Sequence, residues 1–397
     1  MKILKFKNNK KNRDAISLFS GGMGLDIGLT QAGIKIRIGQ DLDKFCVATM
    51  KANNHKVLDG DITGIQAWDL LGKTNLQPGE PFLICGGPPC QSFSTAGKRL
   101  GINDPRGSLF TDFISMIEYI RPRFFLMENV KGIISAQVNH IPIAERKKEK
   151  PIENQETVLE IILSKFHKLG YKTVYGLLDA VNYGVPQFRE RFILLGSRDG
   201  EDIFLPIPTH FQTHQDSEYR WRSLRYAISD LEYDFGECGT FSRERLDLLQ
   251  LVPEGGNWRS LPKKIIPQAM GGAYESGGGK VGFYRRLSYD QPSPTLVTSP
   301  VQKATMMCHP IQDRPLSIRE YARIQQFPDD WIFVGTNISK YRQIGNAVPV
   351  GLGVALGMAL ISVAENTASV QTKRFRGTNV HQKLKDAIEL KVNYYAN

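Results

Sequence analysis

The sequence predicts an α/β protein: a mixed, mostly parallel sheet with helices on both faces, joined to a smaller loop-rich module. From residue 14 to about residue 196, short apolar runs alternate with longer segments of helical spacing, which is the rhythm of βαβ units. Past about residue 198 the rhythm is lost, and Pro206, Pro208, Pro253, Pro262, Pro267 and the Gly271-Gly272 pair mark irregular backbone. With 397 residues the chain has room for roughly two to three domains and needs no staples.

The buried strands are read in AISLF, KIRIG, PFLIC, FFLM and RFILLG, each bounded by turn signals. Helices are read in DIGLTQAG, KFCVATMKAN, SLFTDFISMIEYI and VLEIILSKFHKLG between them. The charged run at 144–155, interrupted by Pro151, reads as an exposed insertion. The first segment, MKILKFKNNKKNR, reads as a loose cationic lead-in without an export signal, and the stretch after Glu365, with Lys373, Arg374 and Arg376, as a polar appendage. Residues 347–364 carry no charge and reach the lower limit for a membrane span. Pro349 suits the start of a buried helix there, so no membrane is expected. These segments divide the chain into an α/β domain at 1–197, completed by 338–397, and a loop-rich domain with its return segment at 198–337.

Lys and Arg number 51 against 40 Asp and Glu, a net charge of +11. A surplus of that size points to a polyanionic partner without separating DNA from RNA or a membrane. The five cysteines, Cys46, Cys85, Cys90, Cys238 and Cys308, form no CxxC pair, which argues against a disulfide framework or a structural zinc site.

Ligands of a parallel sheet sit beyond the carboxyl ends of its strands. The first strand runs into Ser20-Gly21-Gly22-Met23-Gly24, a turn where glycines let backbone approach a ligand. A plain tight turn would look the same. Asp41 ends the next strand, where a carboxylate can accept from ribose hydroxyls, and Gly60-Asp61-Ile62 ends the third, offering a carboxylate for an exocyclic amine and an apolar side chain for a flat ring. Cys90 follows Gly86-Gly87-Pro88-Pro89 just past a strand end, a place where a thiol can meet a substrate. Cys85 lies inside the apolar run and is given no chemistry. Glu128-Asn129-Val130 ends another strand, and Arg189 and Arg191 stand two apart on one side of an extended segment.

In this order these residues resemble the cytosine-5 DNA methyltransferase family, from about residue 14 to residue 357. DAISLFSGGMGLDIG looks like its cofactor loop, QDLDKF and DGDI like its next cofactor segments, GGPPCQSFS like its nucleophile loop, and ENV and QFRERFILLG like its carboxyl and arginine motifs. RRLSYDQPSPTLVTS, LSIREYARIQQFPDDW and QIGNAVP look like its last blocks; Met23 stands where the family usually has Gly. The resemblance implies the S-adenosylmethionine-dependent methyltransferase fold. It implies a cofactor site for S-adenosyl-L-methionine, with S-adenosyl-L-homocysteine as product, from Phe19, Gly21, Gly24, Leu25, Asp41, Leu42, Asp61, Ile62, Pro88, Asn346 and Val348.

By the same resemblance Cys90 adds to carbon 6 of a flipped-out cytosine, Glu128 holds ring nitrogen 3, and Arg189 stabilises the developing charge. Arg191 assists it or pairs with a carboxylate. Gln91 fills the vacated stack while Lys98, Arg99 and Arg106 contact phosphates. Target reading is expected at about 198–282, with Arg222, Arg225, Tyr274, Lys280, Tyr284 and Arg285 as contacts. Implied with these are double-stranded DNA as partner, a monomer, a restriction-modification setting with a cognate endonuclease acting independently, and a prokaryotic cytoplasm.

Three other readings compete. An RNA cytosine methyltransferase would have little between the arginine motif and the last blocks, where this chain has about ninety residues. A silent DNA-binding regulator would be expected to lose Cys90 or Glu128. A nicotinamide-dependent oxidoreductase leaves the PPCQ, ENV and RER segments unexplained.

Overall fold

A computed structural model describes residues 12–89, 109–136, 157–277 and 280–366. Seven strands form one sheet in the order β3-β2-β1-β4-β5-β7-β6. They are β1 (Asp14–Leu18), β2 (Lys35–Asp41), β3 (Val57–Asp59), β4 (Leu83–Gly86), β5 (Phe124–Asn129), β6 (Lys172–Asp179) and β7 (Glu190–Ser197). Neighbours from β3 to β5 pair in parallel, whereas β7 runs antiparallel to both β5 and β6. The order reverses between β1 and β4, so the crevice of the sheet opens beyond their carboxyl ends. The strand missing from the sequence analysis is β6, whose KTVYGLLD breaks its apolar run with Gly176.

Alternation along each strand divides the core in two. Ile16, Ile84, Phe125, Met127, Phe192 and Leu194 pack beneath α3 (Ala67–Thr74), α4 (Leu109–Ile120) and α5 (Val158–Lys168). Ala15, Cys85, Leu126, Ile193 and Leu195 face α1 (Gly24–Gln31) and α11 (Val350–Ala364). Cys85 is fully buried, as expected of a thiol inside an apolar strand.

The chargeless run is α11, with Pro349 as its N-cap residue. Residues Asn337–Ala364 are long and apolar enough to cross a membrane, yet 67% of the apolar window is buried inside the protein. Its glycines have a packing reason. A Cβ on Gly28 would lie 2.3 Å from the Val350 carbonyl oxygen and 2.7 Å from the Gly353 Cα, and one on Gly353 would lie 2.9 Å from the Leu25 carbonyl oxygen. The two helices cross backbone to backbone, which only glycine permits at that distance.

Beyond β7 the chain forms short helices and loops. One core gathers Phe241, Leu249, Val252, Leu261, Met270, Tyr284 and Met306. Another joins Leu224, Leu287, Leu296, Leu316, Tyr321 and Phe327 to Tyr341, Ile344 and Ile27, drawing on residues on both sides of 338. Few strand ladders exist here to satisfy backbone carbonyls, and buried Arg286 takes over part of that task. It donates to the carbonyls of Leu249, Val252, His309 and Gln312 and pairs with Asp313.

Gly28→Ala tests the helix crossing. The added methyl group has no room, so stability to urea is expected to fall by about 2 kcal/mol; an unchanged denaturation midpoint would count against the seam.

Candidate active site

The site is assembled from the ends of adjacent strands. At the end of β1 the chain enters a tight turn in which Phe19, Gly21 and Met23 have φ of 54, 55 and 67°. Met23 therefore occupies a conformation that favours glycine. Its side chain is fully buried with Val47 and Met50 of α2 (Lys44–Ala52), in a cluster joined by Trp331. A Cβ on Gly21 would meet nothing within 4 Å, so this position is open, whereas one on Gly24 would stand 2.2 Å from the Val348 carbonyl oxygen. Gly24 is thus explained by the approach of the segment before α11, and Leu25, buried with Val348, by the core.

The Asp41 carboxylate accepts from the Gly21 N–H at 2.7 Å and the Asp43 N–H at 2.8 Å, fastening the end of β2 to the glycine turn. Burial raises its pKa against those hydrogen bonds. Leu42 beside it is 64% exposed, an apolar surface at the rim of the crevice. Asp61 is exposed and caps the following turn through Thr63 N–H, while Ile62 is packed into the core and leaves little of its side chain for a ring. Asn346, on the turn between α10 (Asn337–Asn346) and α11, is exposed. An open glycine turn, a carboxylate at the second strand end, an uncovered leucine and a free amide fit a nucleoside-bearing cofactor.

Gln40 belongs to this site and was not singled out in the sequence. It is 1% exposed, and its amide accepts from Phe19 N–H at 3.2 Å and donates to the Gly60 carbonyl at 2.7 Å. One side chain thereby ties the first loop to the third. The signal was an amide inside an apolar strand, which must find partners.

The chemistry gathers one strand further on. β4 ends beside β1, with Gly86 opposite Leu18, and β5 ends beside β4. A Cβ on Gly87 would stand 2.7 Å from Glu128 Oε2, and Asn129 donates its side-chain amide to the Pro88 carbonyl at 2.9 Å. The start of the loop leading to Cys90 is therefore held against Glu128 and Asn129. Cys90, Gln91, Lys98, Arg99 and Arg106 lie outside the described residues, as does the 144–155 insertion.

Arg191 Nε approaches Glu128 Oε1 at 2.7 Å, with side-chain exposures of only 12% and 13%. The antiparallel pairing explains it: Glu128 stands opposite Ile193, so Arg191, two residues before, projects from the same face. Burial raises the Glu128 carboxyl above its usual range, opposed by Arg191 and Arg189. Arg189, expected to stabilise charge on a substrate, is placed elsewhere. It is 1% exposed and donates to the carbonyls of Leu296 at 3.0 Å and Gly345 at 2.6 Å. Its position before β7 lets it turn into the protein, so Arg191 holds the place beside the carboxyl.

Of the expected groove contacts, Arg225 is paired with Asp290, Tyr284 is buried with its hydroxyl on the Ala269 carbonyl, and Arg285 donates to the Met306 carbonyl. Lys280 donates to the carbonyl of Tyr274, and Arg222 lies over the Tyr226 ring at 4.6 Å. Among the described residues no group of His, Cys, Asp and Glu could hold a metal ion.

A family model described as C-5 cytosine-specific DNA methylase matches residues 14–362. The chain is 40% identical over 356 residues to the type II methyltransferase M.PspPI of Psychrobacter sp. (strain TA137), covering 87% of this chain and 78% of that one. It is 38% identical over 358 residues to M.Sau96I of Staphylococcus aureus, covering 89% and 77%. Among solved structures, a prophage-encoded protein of Escherichia coli described as a DNA modification methyltransferase superposes with a TM-score of 0.60 at 23% identity, covering 89% of this chain and 99% of that one. A Spodoptera frugiperda DNMT2 variant gives 0.54 at 19% identity, covering 88% and 99%. These structural likenesses share the fold.

Beneath the glycine turn, Asp26 of α1 is 1% exposed, its Oδ1 has no partner, and burial pushes its carboxyl up to about 7. The folded state holds a proton that the unfolded chain has released, so stability is full below the ordinary carboxylate range and is lost as pH rises to about 7. Asp26→Asn mimics the neutral acid. It is expected to be the more stable form at pH 8, by on the order of 4 kcal/mol, with the advantage shrinking toward pH 4. Parallel urea titrations of the two proteins would reject this if their difference were independent of pH.

Proposed function

Because the chain belongs to the C-5 cytosine-specific DNA methylases, we propose that Glu128 and Arg191 receive an extrahelical cytosine and that Cys90 is the nucleophile attacking it. The protein transfers a methyl group to carbon 5 of cytosine in DNA. Bound S-adenosylmethionine supplies that methyl group as an electrophilic sulfonium substituent.

Carbon 5 of cytosine is a feeble nucleophile. Addition of the Cys90 thiolate to carbon 6 moves an electron pair toward ring nitrogen 3 and leaves carbon 5 enamine-like. A carboxyl raised by burial is suited to hold a proton at nitrogen 3, and Glu128 is such a group. Arg191 positions that carboxyl and offers its guanidinium to charge on the ring. After methyl transfer water takes the carbon 5 proton, the C–H electron pair restores the double bond to carbon 6 and expels the Cys90 thiolate, and nitrogen 3 returns its proton to Glu128. Arg189 supports the site from behind without touching the base.

The single observation carrying this reading is the Glu128–Arg191 pair against Gly87, where the loop leading to Cys90 begins. Asp41, Leu42, Asp61 and Asn346 would hold the cofactor, with Phe19 and Gly21 as the turn beneath it. Ordinary readings of Lys98, Arg99 and Arg106 as solvated loop charges give way here to phosphate contacts, since a flipped base requires a closed protein–DNA interface. The catalytic domain is residues 1–197 and 338–397, with 198–337 forming the recognition domain and its return. The bacterial type II relatives support a restriction-modification role beside a separate endonuclease in the cytoplasm of a prokaryotic cell, and the protein acts as a monomer.

Cys90→Ser is expected to abolish methyl transfer while duplex binding stays within a few-fold, because phosphate contacts provide most of the affinity. With 5-fluorocytosine in the target, the unaltered protein should form an adduct that survives SDS, since fluorine cannot leave as a cation. Substantial turnover by the serine variant would remove Cys90 from this role.

Strand-end loops can reach only the flipped base and the cofactor, so neighbouring base pairs must be read by the loop-rich module in the major groove. Replacing 198–282 by the segment of a relative with different specificity should move methylation to the donor's sequence, read by bisulfite sequencing. A folded, cofactor-binding chimera that kept the original target would refute the division of labour.

A further inference from the structure

Three buried side chains outside the reacting centre form one connected polar unit. Gln187 is 0% exposed, Gln325 0% and Arg189 1%. The Gln187 amide accepts from Leu296 N–H at 2.8 Å and donates to Gln325 Oε1 at 3.0 Å. Gln325 in turn donates to the carbonyls of Ile344 at 2.7 Å and Ala347 at 3.2 Å, while its own carbonyl accepts from Val350 N–H. Arg189 closes the unit by donating to Leu296 and Gly345.

Apart from the Gln187–Gln325 bond, the unit ends on backbone of two segments. The carbonyls of residues 344, 345 and 347 surround Asn346, which is exposed at the crevice. They lie at and just past the end of α10, where carbonyls lack the usual helical partner; the Ile344 carbonyl also accepts from Ala347 N–H at 3.2 Å. Leu296 is preceded by Thr295, exposed and hydrogen-bonded to the Phe188 carbonyl at 2.7 Å, on the segment returning from the loop-rich module. A Cβ on Gly345 would stand 2.5 Å from the Val297 carbonyl oxygen, so the two backbones are also in direct contact.

We propose that Gln325 is a positioning residue for cofactor binding: through its two carbonyl bonds it fixes the Asn346 turn, and through Gln187 it locks that turn in register with the Thr295–Leu296 segment returning from the loop-rich module. Gln325 touches neither substrate. Its effect is exerted through the place at which Asn346 is held, and the idea rests on the proposed use of Asn346 toward S-adenosylmethionine.

Gln325→Glu keeps the shape but turns an acceptor toward two carbonyls, and Gln325→Met removes the donor without adding charge. Calorimetry on the free protein should show the S-adenosylmethionine dissociation constant raised about ten-fold by either variant, with kcat at saturating cofactor changed less than three-fold. The decisive measurement is the cycle with Asn346→Ala. If Gln325 acts through that turn, Gln325→Met on the Asn346→Ala background should weaken binding by less than two-fold more. A lowered melting temperature with an unchanged dissociation constant, or effects that multiply in the double variant, would overturn the proposal and leave Gln325 a core residue. Failure of the unaltered protein to bind S-adenosylmethionine, or of Asn346→Ala to weaken it, would instead overturn the reading of the cofactor site. Should Gln325→Glu not fold, Gln325→Met carries the same test.

Discussion

The reversal of β7 against β5 is the constraint on which the site depends. A parallel neighbour would begin at the far edge of the sheet, leaving the residues before it remote from the carboxyl end of β5. Running antiparallel, β7 begins where β5 ends, with Phe192 opposite Asn129 and Ile193 opposite Glu128. Two residues earlier and on the same face comes Arg191, which meets Glu128 at 2.7 Å. Hairpin pairing with β6 holds this register along eight residues. A slip of one residue would turn Arg191 to the opposite face.

That face is the one covered by α1 and α11, so the placement of α11 matters to the chemistry although it supplies no reacting group. Glycines at 28 and 353 bring the two helices into backbone contact, and the turn preceding α11 is thereby set over the start of α1. The close approach of Val348 to Gly24 follows from this crossing. Segments separated by more than three hundred residues in the chain thus meet beside the crevice at the strand ends. The run that reads by composition alone as a marginal membrane span is apolar because it is core.

Charges buried at the site are kept by pairing. Isolated, a guanidinium or carboxylate removed from water would carry a penalty of several kcal/mol. Arg191 and Glu128 offset each other, and Arg189 is met by two backbone carbonyls. Asp26 has no such partner for Oδ1, and its proton is retained instead. Desolvation raises both carboxyls, and only Glu128 has a guanidinium beside it to oppose that rise.

Local pattern determined much of this protein. Apolar runs with turn signals located β1, β2, β4, β5 and β7; the glycine turn, Asp41, Asp61, the loop after β4 and Glu128 could each be assigned to a strand end because strand ends are where such runs stop. The sequence did not disclose β6, whose Gly176 interrupts the run, nor Gln40, Gln187 and Gln325, whose importance lies in partners far away in the chain. Two arginines at 189 and 191 are equivalent by spacing, and spacing does not say which of them meets Glu128. Only tertiary structure separated them: Arg191 lies within β7, where pairing with β5 aims it at Glu128, whereas Arg189 precedes the strand and is free to turn toward the unpartnered carbonyls at Leu296 and Gly345. Periodicity describes a side chain's direction only while the backbone is held in a ladder, and beyond the ladder the nearest unsatisfied partner decides.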